Sequence, residues 1–264
     1  MIKNIFLFCA ALLILNACNN EAKEKRSATL PAAEISLRDA IAKYPDSLLL
    51  KENLIQYFRE NSNYGEAIAE TNNAIKKDSA NARLWDIKAI LHLENTDTTN
   101  AIKAFEEAVA YEPQPTYVLS LGTLYAQTRN KSALNLADKL LAAPNANAGK
   151  EAFFIKGLYF SAINDKQQAI TFFDKCLALD YMDVLTYKEK AICLYDLAKY
   201  KEAIQTLEKA VTIQSTFDEG YYWLGRCYEK TNQPKDAADY YKTALQIDPD
   251  YAEAKDALLR LGQQ

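Results

Sequence analysis

The sequence predicts an all-α protein, an α-solenoid of stacked helix pairs, and two observations predict it. The 264 residues include only seven glycines and seven prolines, which leaves few tight turns and favours long helices. Small residues also recur at a 34-residue period along two ladders that lie about two helical turns apart. The first ladder is Ala33, Ala67, Ala101, Ala169, Ala203 and Ala237, interrupted by Asn135; the second is Ala40, Ala74, Ala108, Ala142, Cys176, Ala210 and Ala244. Small side chains at these positions let two helix backbones approach closely.

The composition excludes several classes of function. Hydrophobic residues make up 49% of the chain and charged residues 25%, which is typical of a globular protein. The formal net charge of -4 argues against binding to nucleic acid. A single histidine, His92, excludes multi-histidine metal sites. The chain also has no CxxC, HExxH, phosphate-binding glycine loop or GxSxG motif, so we expect no enzyme activity, metal or cofactor.

Residues 1–17 have the pattern of a signal peptide. Lys3 precedes an apolar run from Ile5 to Leu15, which is too short for the roughly 20 residues of a membrane-spanning helix. The run ends in the series Leu15, Asn16, Ala17 and Cys18, and this arrangement resembles the lipobox of bacterial lipoproteins. The resemblance implies cleavage before Cys18 and lipidation of its thiol. The alternative is an ordinary secreted protein that is cleaved near Ala17.

Residues 18–30 are predicted to be a flexible tether, because this segment is polar and has too few large apolar side chains to form a core. Asn19 after the cysteine is typical of lipoproteins sent to the outer membrane of a two-membrane bacterium. Several acyl chains on one residue give a stable anchor. We therefore expect a protein of the cell envelope that is lipid-anchored to a membrane and does not span it.

The remaining residues, 31–262, carry the repeat pattern, which is most complete in the repeat that starts at Asp218. Its characteristic positions hold Tyr221, Leu224, Gly225, Tyr228, Ala237, Tyr241, Ala244 and Pro249. This series resembles the W-x₂-L-G-x₂-Y, A-x₃-F and P positions of tetratricopeptide repeats. The resemblance implies a right-handed superhelix of one half repeat, six full helix-pair repeats and a C-terminal capping helix. The repeat near Thr116 is irregular, and turn-forming residues at 143–149 predict a hinge in the array.

The same resemblance implies a concave groove, lined mostly by the first helix of each pair, that holds a partner protein or peptide. In the first two full repeats the groove positions form a polar strip: Glu52, Gln56, Arg59, Arg83, Asp86 and Ile90. In the later repeats they are Leu119, Thr123, Phe154, Leu158, Lys188, Ile192, Tyr195, Tyr222 and Arg226. Apolar and aromatic side chains facing solvent indicate a recognition surface. The equal alternative is that Phe154, Leu158 and Ile192 pack across the interior of the superhelix.

One subset of the family grips the terminal carboxylate of a chaperone with lysine, asparagine and arginine side chains at set positions. This chain has Glu52, Gln56, Arg83 and Ile87 at the corresponding positions. The resemblance therefore does not extend to that clamp.

Other candidate residues are interpreted as packing residues. Cys176, Cys193 and Cys227 are expected to be buried thiols that act as small apolar groups, although a bridge between Cys176 and Cys193 stays open. His92 and Trp85 occupy packing positions of their repeat and are expected in the core.

These observations together predict a membrane-tethered scaffold for protein–protein interaction. It would bind a segment of a partner in its groove and assist the assembly or positioning of a cell-envelope complex. The alternative is a structural lipoprotein of the envelope that assembles with copies of itself. The identity of the partner and the face of the outer membrane stay open.

Overall fold

The computed structural model describes residues 30–142 and 148–262, and within these ranges it contains fourteen α-helices and no strand. The helices are α1 (Ala32–Lys43), α2 (Leu48–Glu60), α3 (Tyr64–Lys77), α4 (Ala82–Glu94), α5 (Thr98–Tyr111), α6 (Pro115–Gln127), α7 (Ser132–Ala142), α8 (Gly149–Ala162), α9 (Lys166–Leu179), α10 (Val184–Asp196), α11 (Tyr200–Ile213), α12 (Asp218–Lys230), α13 (Pro234–Ile247) and α14 (Ala252–Arg260). The predicted all-α architecture is confirmed, with α1 as the half repeat, six helix pairs and α14 as the cap.

The helices belong to two compact units that divide between Tyr111 and Glu112. Unit 1 contains α1 to α5, and unit 2 contains α6 to α14. Within each unit consecutive helices pack against one another. Part of the core of unit 1 is formed by Leu54, Ile55, Phe58, Ala67 and Leu91. One buried cluster of unit 2 is centred on α9 to α12 and includes Ala169, Phe173, Leu194, Leu207 and Leu224.

Most ladder alanines are fully buried, as the 34-residue pattern predicts. They are Ala67, Ala101, Ala108, Ala169, Ala203, Ala210, Ala237 and Ala244, each at 0% exposure. Two ladder alanines are exposed instead. Ala33 lies in the first turn of α1, before which the structure describes no helix, and Ala142 is the last residue of α7. A ladder residue is buried only where a neighbouring helix covers it.

The irregular repeat differs from the others in the alanines that it buries. Its first helix α6 starts at Pro115, one residue ahead of the frame set by Ala82, as does the next first helix α8 at Gly149. Helix α7 buries Ala133 and Ala137 and leaves Asn135 exposed. The asparagine that interrupts the ladder therefore faces solvent, and the close contact is made by other alanines.

A residue in the left-handed region closes each of the six turns within a helix pair. These residues are Ser62, Thr96, Arg129, Asn164, Ala198 and Asn232, with φ between 56° and 68°. The amide that follows bonds back to the first helix, as from Asn63 N to the Phe58 carbonyl at 2.8 Å. This is the arrangement that commonly ends a helix and reverses the chain. None of the six is glycine, although an L residue in this region costs roughly 1–2 kcal/mol.

Several predicted features lie outside the described residues. They are the signal peptide at 1–17, Cys18, the tether up to residue 29, and residues 143–147 of the predicted hinge. Gly149 already belongs to α8, which packs against α7 within the same unit, so the hinge stays a prediction. Among the helices of 30–142 and 148–262, none is both long and apolar enough to cross a bilayer.

Candidate functional site

The first helices of successive pairs lie side by side in unit 2. Helix α6 contacts α8, α8 contacts α10, and α10 contacts α12; we call these four helices the inner layer. All nine residues predicted to line the groove lie on them. Two hydrogen bonds join α10 to α12, from Lys188 to Glu219 and from Arg226 to Tyr195. The structure therefore brings the predicted site residues onto one continuous layer.

Eight of these nine residues are half-buried, and the exception is Tyr222, which is 8% exposed. The ring of Tyr222 lies 5.7 Å from the ring of Tyr241 and 5.1 Å from that of Tyr251. Because Tyr251 caps the start of α14, the entry to the capping helix covers Tyr222. The prediction that Tyr222 lines an open groove is corrected: it contributes packing and a hydroxyl group.

The uncharged, half-buried members of the predicted groove divide into two groups. Phe154, Leu158 and Tyr195 pack against the buried cluster of unit 2, and the ring of Phe154 lies 6.0 Å from that of Phe173. These three side chains are half-buried, so they pack against the core and are also partly exposed to solvent. The others, Leu119, Thr123 and Ile192, are also half-buried.

The two cations of the inner layer differ in their partners. Lys188 Nζ donates to both carboxylate oxygens of Glu219 at 2.9 Å, and its side chain is only 14% exposed. An ammonium group this far removed from water needs such a partner. Lys188 is therefore neutralised within the protein.

Arg226 is held by aromatic side chains instead, in a group that we call the Arg226 cluster: Tyr195, Tyr222, Trp223 and Arg226. The guanidinium carbon lies 5.3 Å, 5.8 Å and 5.2 Å from the three ring centroids in that order, within the range of cation–π attraction. Its Nη1 donates to the Tyr222 hydroxyl at 3.1 Å and its Nη2 to the Tyr195 hydroxyl at 3.3 Å. Burial lowers the pKa of the guanidinium, but these hydrogen bonds raise the pKa further, so the group stays charged.

No carboxylate lies within 4.0 Å of the Arg226 guanidinium in the part of the chain that the structure describes. The other half-buried arginines of these ranges are Arg38 and Arg59. Arg38 pairs with Glu70 at 2.9 Å, and Arg59 pairs with Glu94. Arg226 thus combines partial burial with an uncompensated positive charge.

With the exception of Asp86, the residues of the polar strip of unit 1 line a pocket of about 380 Å³ between α2 and α4. Its apolar floor contains Leu49, Ile55, Ile87, Ile90 and Leu91. Arg83 donates to both oxygens of Glu52 at 2.8 Å and 3.0 Å, and Arg59 Nε donates to Glu94 at 2.8 Å. Both arginines of the strip are thus bonded to a glutamate. Arg83, at one of the clamp positions, therefore offers no uncompensated charge to a ligand.

The acidic partners of these cations were not predicted from the sequence. Three pairs of opposite charge lie 31 residues apart: Glu52 with Arg83, Lys188 with Glu219, and Glu229 with Arg260. This spacing is three residues, nearly one helical turn, short of the repeat. A search for opposite charges at that spacing would have found them.

The described cysteines are buried free thiols, as predicted, and the bridge between Cys176 and Cys193 is not formed. Cys176 Sγ lies 3.3 Å from Thr186 Oγ1, and Cys193 Sγ lies 3.5 Å from Ser161 Oγ. Burial raises the pKa of Cys176 to about 11 and that of Cys227 to about 12. These thiols are protonated at neutral pH and are packing groups rather than nucleophiles.

His92 is buried in α4, as predicted, and its Nδ1 lies 3.2 Å from Asp97 Oδ2. Burial lowers the pKa of the imidazole more than Asp97 raises it. Trp85 is only half-buried, so its predicted place in the core is corrected. Its indole donates to the Ser79 carbonyl at 2.8 Å, and Lys88 Nζ lies 5.0 Å from the ring. In the described ranges no group of three or more His, Cys, Asp or Glu side chains is arranged to hold a metal ion.

The family models that match this chain all describe the same repeat. Models described as Tetratricopeptide repeat match residues 88–148, 150–181 and 194–261. The Hsp70-Hsp90 organizing protein of Triticum aestivum is 23% identical over 92% of this chain and 43% of its own length. Stress-induced-phosphoprotein 1 of Caenorhabditis elegans is 24% identical over 62% of this chain and 49% of its own. The chain spans less than half the length of these two relatives.

Solved structures share the fold. A tetratricopeptide repeat protein from Parabacteroides merdae matches with a TM-score of 0.70 and 20% identity, over 93% of this chain and 97% of that one. PilW, a widely conserved type IV pilus biogenesis factor, matches with a TM-score of 0.61 and 19% identity, over 80% and 97%. At these identities the likeness shows the fold alone.

Proposed function

Because this chain belongs to the tetratricopeptide repeat family, we propose that it is a membrane-tethered scaffold that binds a segment of a partner protein along the inner layer. The family fold supports protein–protein interaction in general. The tether, the envelope location and the use of the inner layer are our proposal. The proposed scaffold assists the assembly or positioning of its bound partner within a complex of the cell envelope, at the outer membrane of a two-membrane bacterium.

The observation that carries this proposal is the chemistry of the inner layer. It presents half-buried aliphatic and aromatic side chains beside an arginine with no carboxylate partner among the described residues. Aromatic residues and arginine are the types that dominate binding energy at protein interfaces. The strip of unit 1, by contrast, has its arginines paired internally.

The binding surface can be tested by photo-crosslinking in intact cells. A photoreactive amino acid would replace Ile192, which is half-buried on the inner layer, or Gln205, which is exposed on the second helix α11. We expect a defined envelope protein to be captured from position 192 and not from position 205. Thr123→Arg should abolish that capture by placing a long charged side chain on the layer. Equal capture from both positions, or none from 192, would show that the inner layer is not the binding surface.

The tether is tested separately through Cys18, the residue that follows the apolar run of the predicted signal peptide. We expect the wild-type chain in the membrane fraction and Cys18→Ala in the soluble envelope fraction, since lipid anchoring depends on the acyl chains. Membrane association that persists in Cys18→Ala would contradict the lipid anchor and leave the binding surface untouched.

A second candidate function, self-assembly, is favoured by one exposed apolar segment. The loop between α9 and α10 and its flanks place four large hydrophobic side chains in solvent: Leu179, Tyr181, Met182 and Leu185. Grouped apolar side chains of this kind mark contact surfaces. Sedimentation at micromolar concentration separates the candidates, because the scaffold is expected to be a monomer or small dimer. Large oligomers that Tyr181→Lys dissociates would favour self-assembly.

A further inference from the structure

We propose that Arg226 anchors a carboxylate of the bound segment, so that the partner segment is acidic and carries an apolar residue beside the acid. The inference rests on the proposed function, since it concerns a ligand of the same inner layer. It names the chemical class of that ligand.

The next repeat contains an arginine at the equivalent position that is paired with a carboxylate of the same chain. Glu229 and Arg260 lie one 34-residue repeat after Tyr195 and Arg226, and Arg260 Nη2 lies 3.4 Å from both carboxylate oxygens of Glu229. At the equivalent contact between α10 and α12, a tyrosine stands where the next repeat has a glutamate. The guanidinium of Arg226 is therefore presented without the counterion that the same geometry supplies to Arg260.

The two glutamates of α12 do not compensate for this replacement. Glu219 is held by Lys188 at 2.9 Å, and Glu229 is engaged by Arg260. A charge held away from full hydration and left unpaired is unfavourable. A carboxylate supplied from outside removes that cost, and it does so only in the complex.

The hydrogen-bonding capacity of the cluster fits a carboxylate. A guanidinium has five N–H donors, and in the described structure Arg226 uses one from Nη1 and one from Nη2, both to tyrosine hydroxyls. Each hydroxyl that accepts from Arg226 keeps its own proton to donate. Tyr195 and Arg226, which are half-buried, can thus donate together to one anion, while the covered Tyr222 hydroxyl holds the guanidinium in place.

The neighbouring residues specify the apolar part of the segment. Ile192 lies one helical turn before Tyr195 on α10, and Leu158 lies one repeat before Ile192 on α8; both are half-buried. A segment whose acid reaches Arg226 therefore passes over aliphatic side chains next to it. An acidic residue with an apolar neighbour satisfies both surfaces.

The test uses the purified full chain and short random peptides displayed on phage. We expect enriched peptides to carry Asp or Glu beside an apolar residue. Synthetic versions of these peptides would then be measured by fluorescence anisotropy. Replacement of the acid by its amide, and Arg226→Gln in the protein, should each weaken binding by about tenfold or more. The two changes together should weaken binding little more than either change alone, because both remove the same contact.

Two further variants separate recognition from folding. Tyr195→Glu recreates the arrangement of Glu229 and Arg260, so it should keep the fold, as judged by circular dichroism, and lose the preference for acidic peptides. Arg260→Gln removes the equivalent cation one repeat later and should leave peptide affinity unchanged. If Arg226 has only a structural role, Arg226→Gln will lower the stability of the protein, and its effect on peptide affinity will not depend on the acid of the peptide.

The outcomes distinguish this inference from the function on which it rests. If peptides bind and Thr123→Arg blocks them, but their affinity is independent of the acid or of Arg226, the carboxylate anchor is overturned and the scaffold stands. If no peptide is enriched and position 192 captures no partner in cells, both are overturned. Binding that depends on Arg226 only for vesicles containing phosphatidylglycerol would also overturn the inference, because the anion would then be a lipid headgroup.

Discussion

Replacing Gly157 by alanine tests whether the helices of a pair are in contact at the limit of backbone approach. Gly157 lies in α8, between the inner-layer residues Phe154 and Leu158. A Cβ atom added there would meet the Phe173 ring at 2.4 Å, 2.6 Å and 2.9 Å from three of its carbons. Phe173 is fully buried in α9, so its ring has no solvent-filled space into which it can move.

Two opposing terms set the expected magnitude. Alanine is a better helix former than glycine by roughly 0.8–1.0 kcal/mol. Forcing an extra carbon into a packed core costs typically about 1–3 kcal/mol. The overpacking term therefore outweighs the propensity term, and we expect Gly157→Ala to lower the free energy of unfolding by about 1 kcal/mol. For a domain of this size, that corresponds to a fall in Tm of roughly 2–4 °C.

The assay is urea unfolding followed by circular dichroism, with Gly65→Ala as the matched control. A Cβ at Gly65 in α3 meets no atom within 4 Å, so this variant should be as stable as the wild type or slightly more stable. Amide exchange in α8 and α9 shows whether the loss is local. This second measurement matters because repeat proteins can unfold in parts.

A second substitution checks the cause. Ala191 and Leu207 occupy the places of Gly157 and Phe173 one repeat later, so the array contains the same contact with a smaller partner. In a Phe173→Leu background, Gly157→Ala should therefore cost much less. If Gly157→Ala is as stable as Gly65→Ala, or if Phe173→Leu does not reduce its cost, the explanation from close approach is wrong.

Two further predictions follow from the turns and the thiols. Thr96→Gly should stabilise the protein by about 0.5–1 kcal/mol, because the left-handed strain that it removes from a β-branched residue at φ 58°, roughly 1–2 kcal/mol, exceeds the roughly 0.4–1 kcal/mol lost to the greater backbone entropy of glycine in the unfolded chain. Thr99→Gly on the exposed face of α5 should instead lose stability in the same urea assay, and equal losses in both would contradict the account. Iodoacetamide at pH 8 should leave Cys176, Cys193 and Cys227 unmodified in the native protein and modify all three after denaturation, because burial raises their pKa values. Rapid native labelling, seen by peptide mass mapping, would refute that protection.

The helix pairs were predictable from the sequence because each depends on short-range information. The second helices of the six pairs begin at Tyr64, Thr98, Ser132, Lys166, Tyr200 and Pro234, all 34 residues apart. Helix formation and packing against the nearest neighbour are encoded within one repeat. The irregular repeat was also visible, because Asn135 interrupts the ladder at the place where α7 buries Ala133 and Ala137 instead.

The candidate site was predictable only in part. The sequence places Lys188 and Tyr222 at the same groove position of successive repeats and Arg226 at the groove position one turn later, and nothing in the repeat pattern tells a paired or covered side chain from an open one. Tyr222 is covered because the chain folds back over it at Tyr251, on the way into the last helix. That contact depends on how the array ends and is not a property of the repeat.

What the sequence by itself determined is therefore the number of helices, their order and the faces that pack, since these follow from a local period. The tertiary structure alone decided which charges are compensated. Neighbouring first helices meet with an offset of nearly one turn, so that Lys188 reaches Glu219 and Arg226 reaches only hydroxyls and rings. Charge pairing depends on that lateral offset between helices, and the offset exists only after the repeats have stacked.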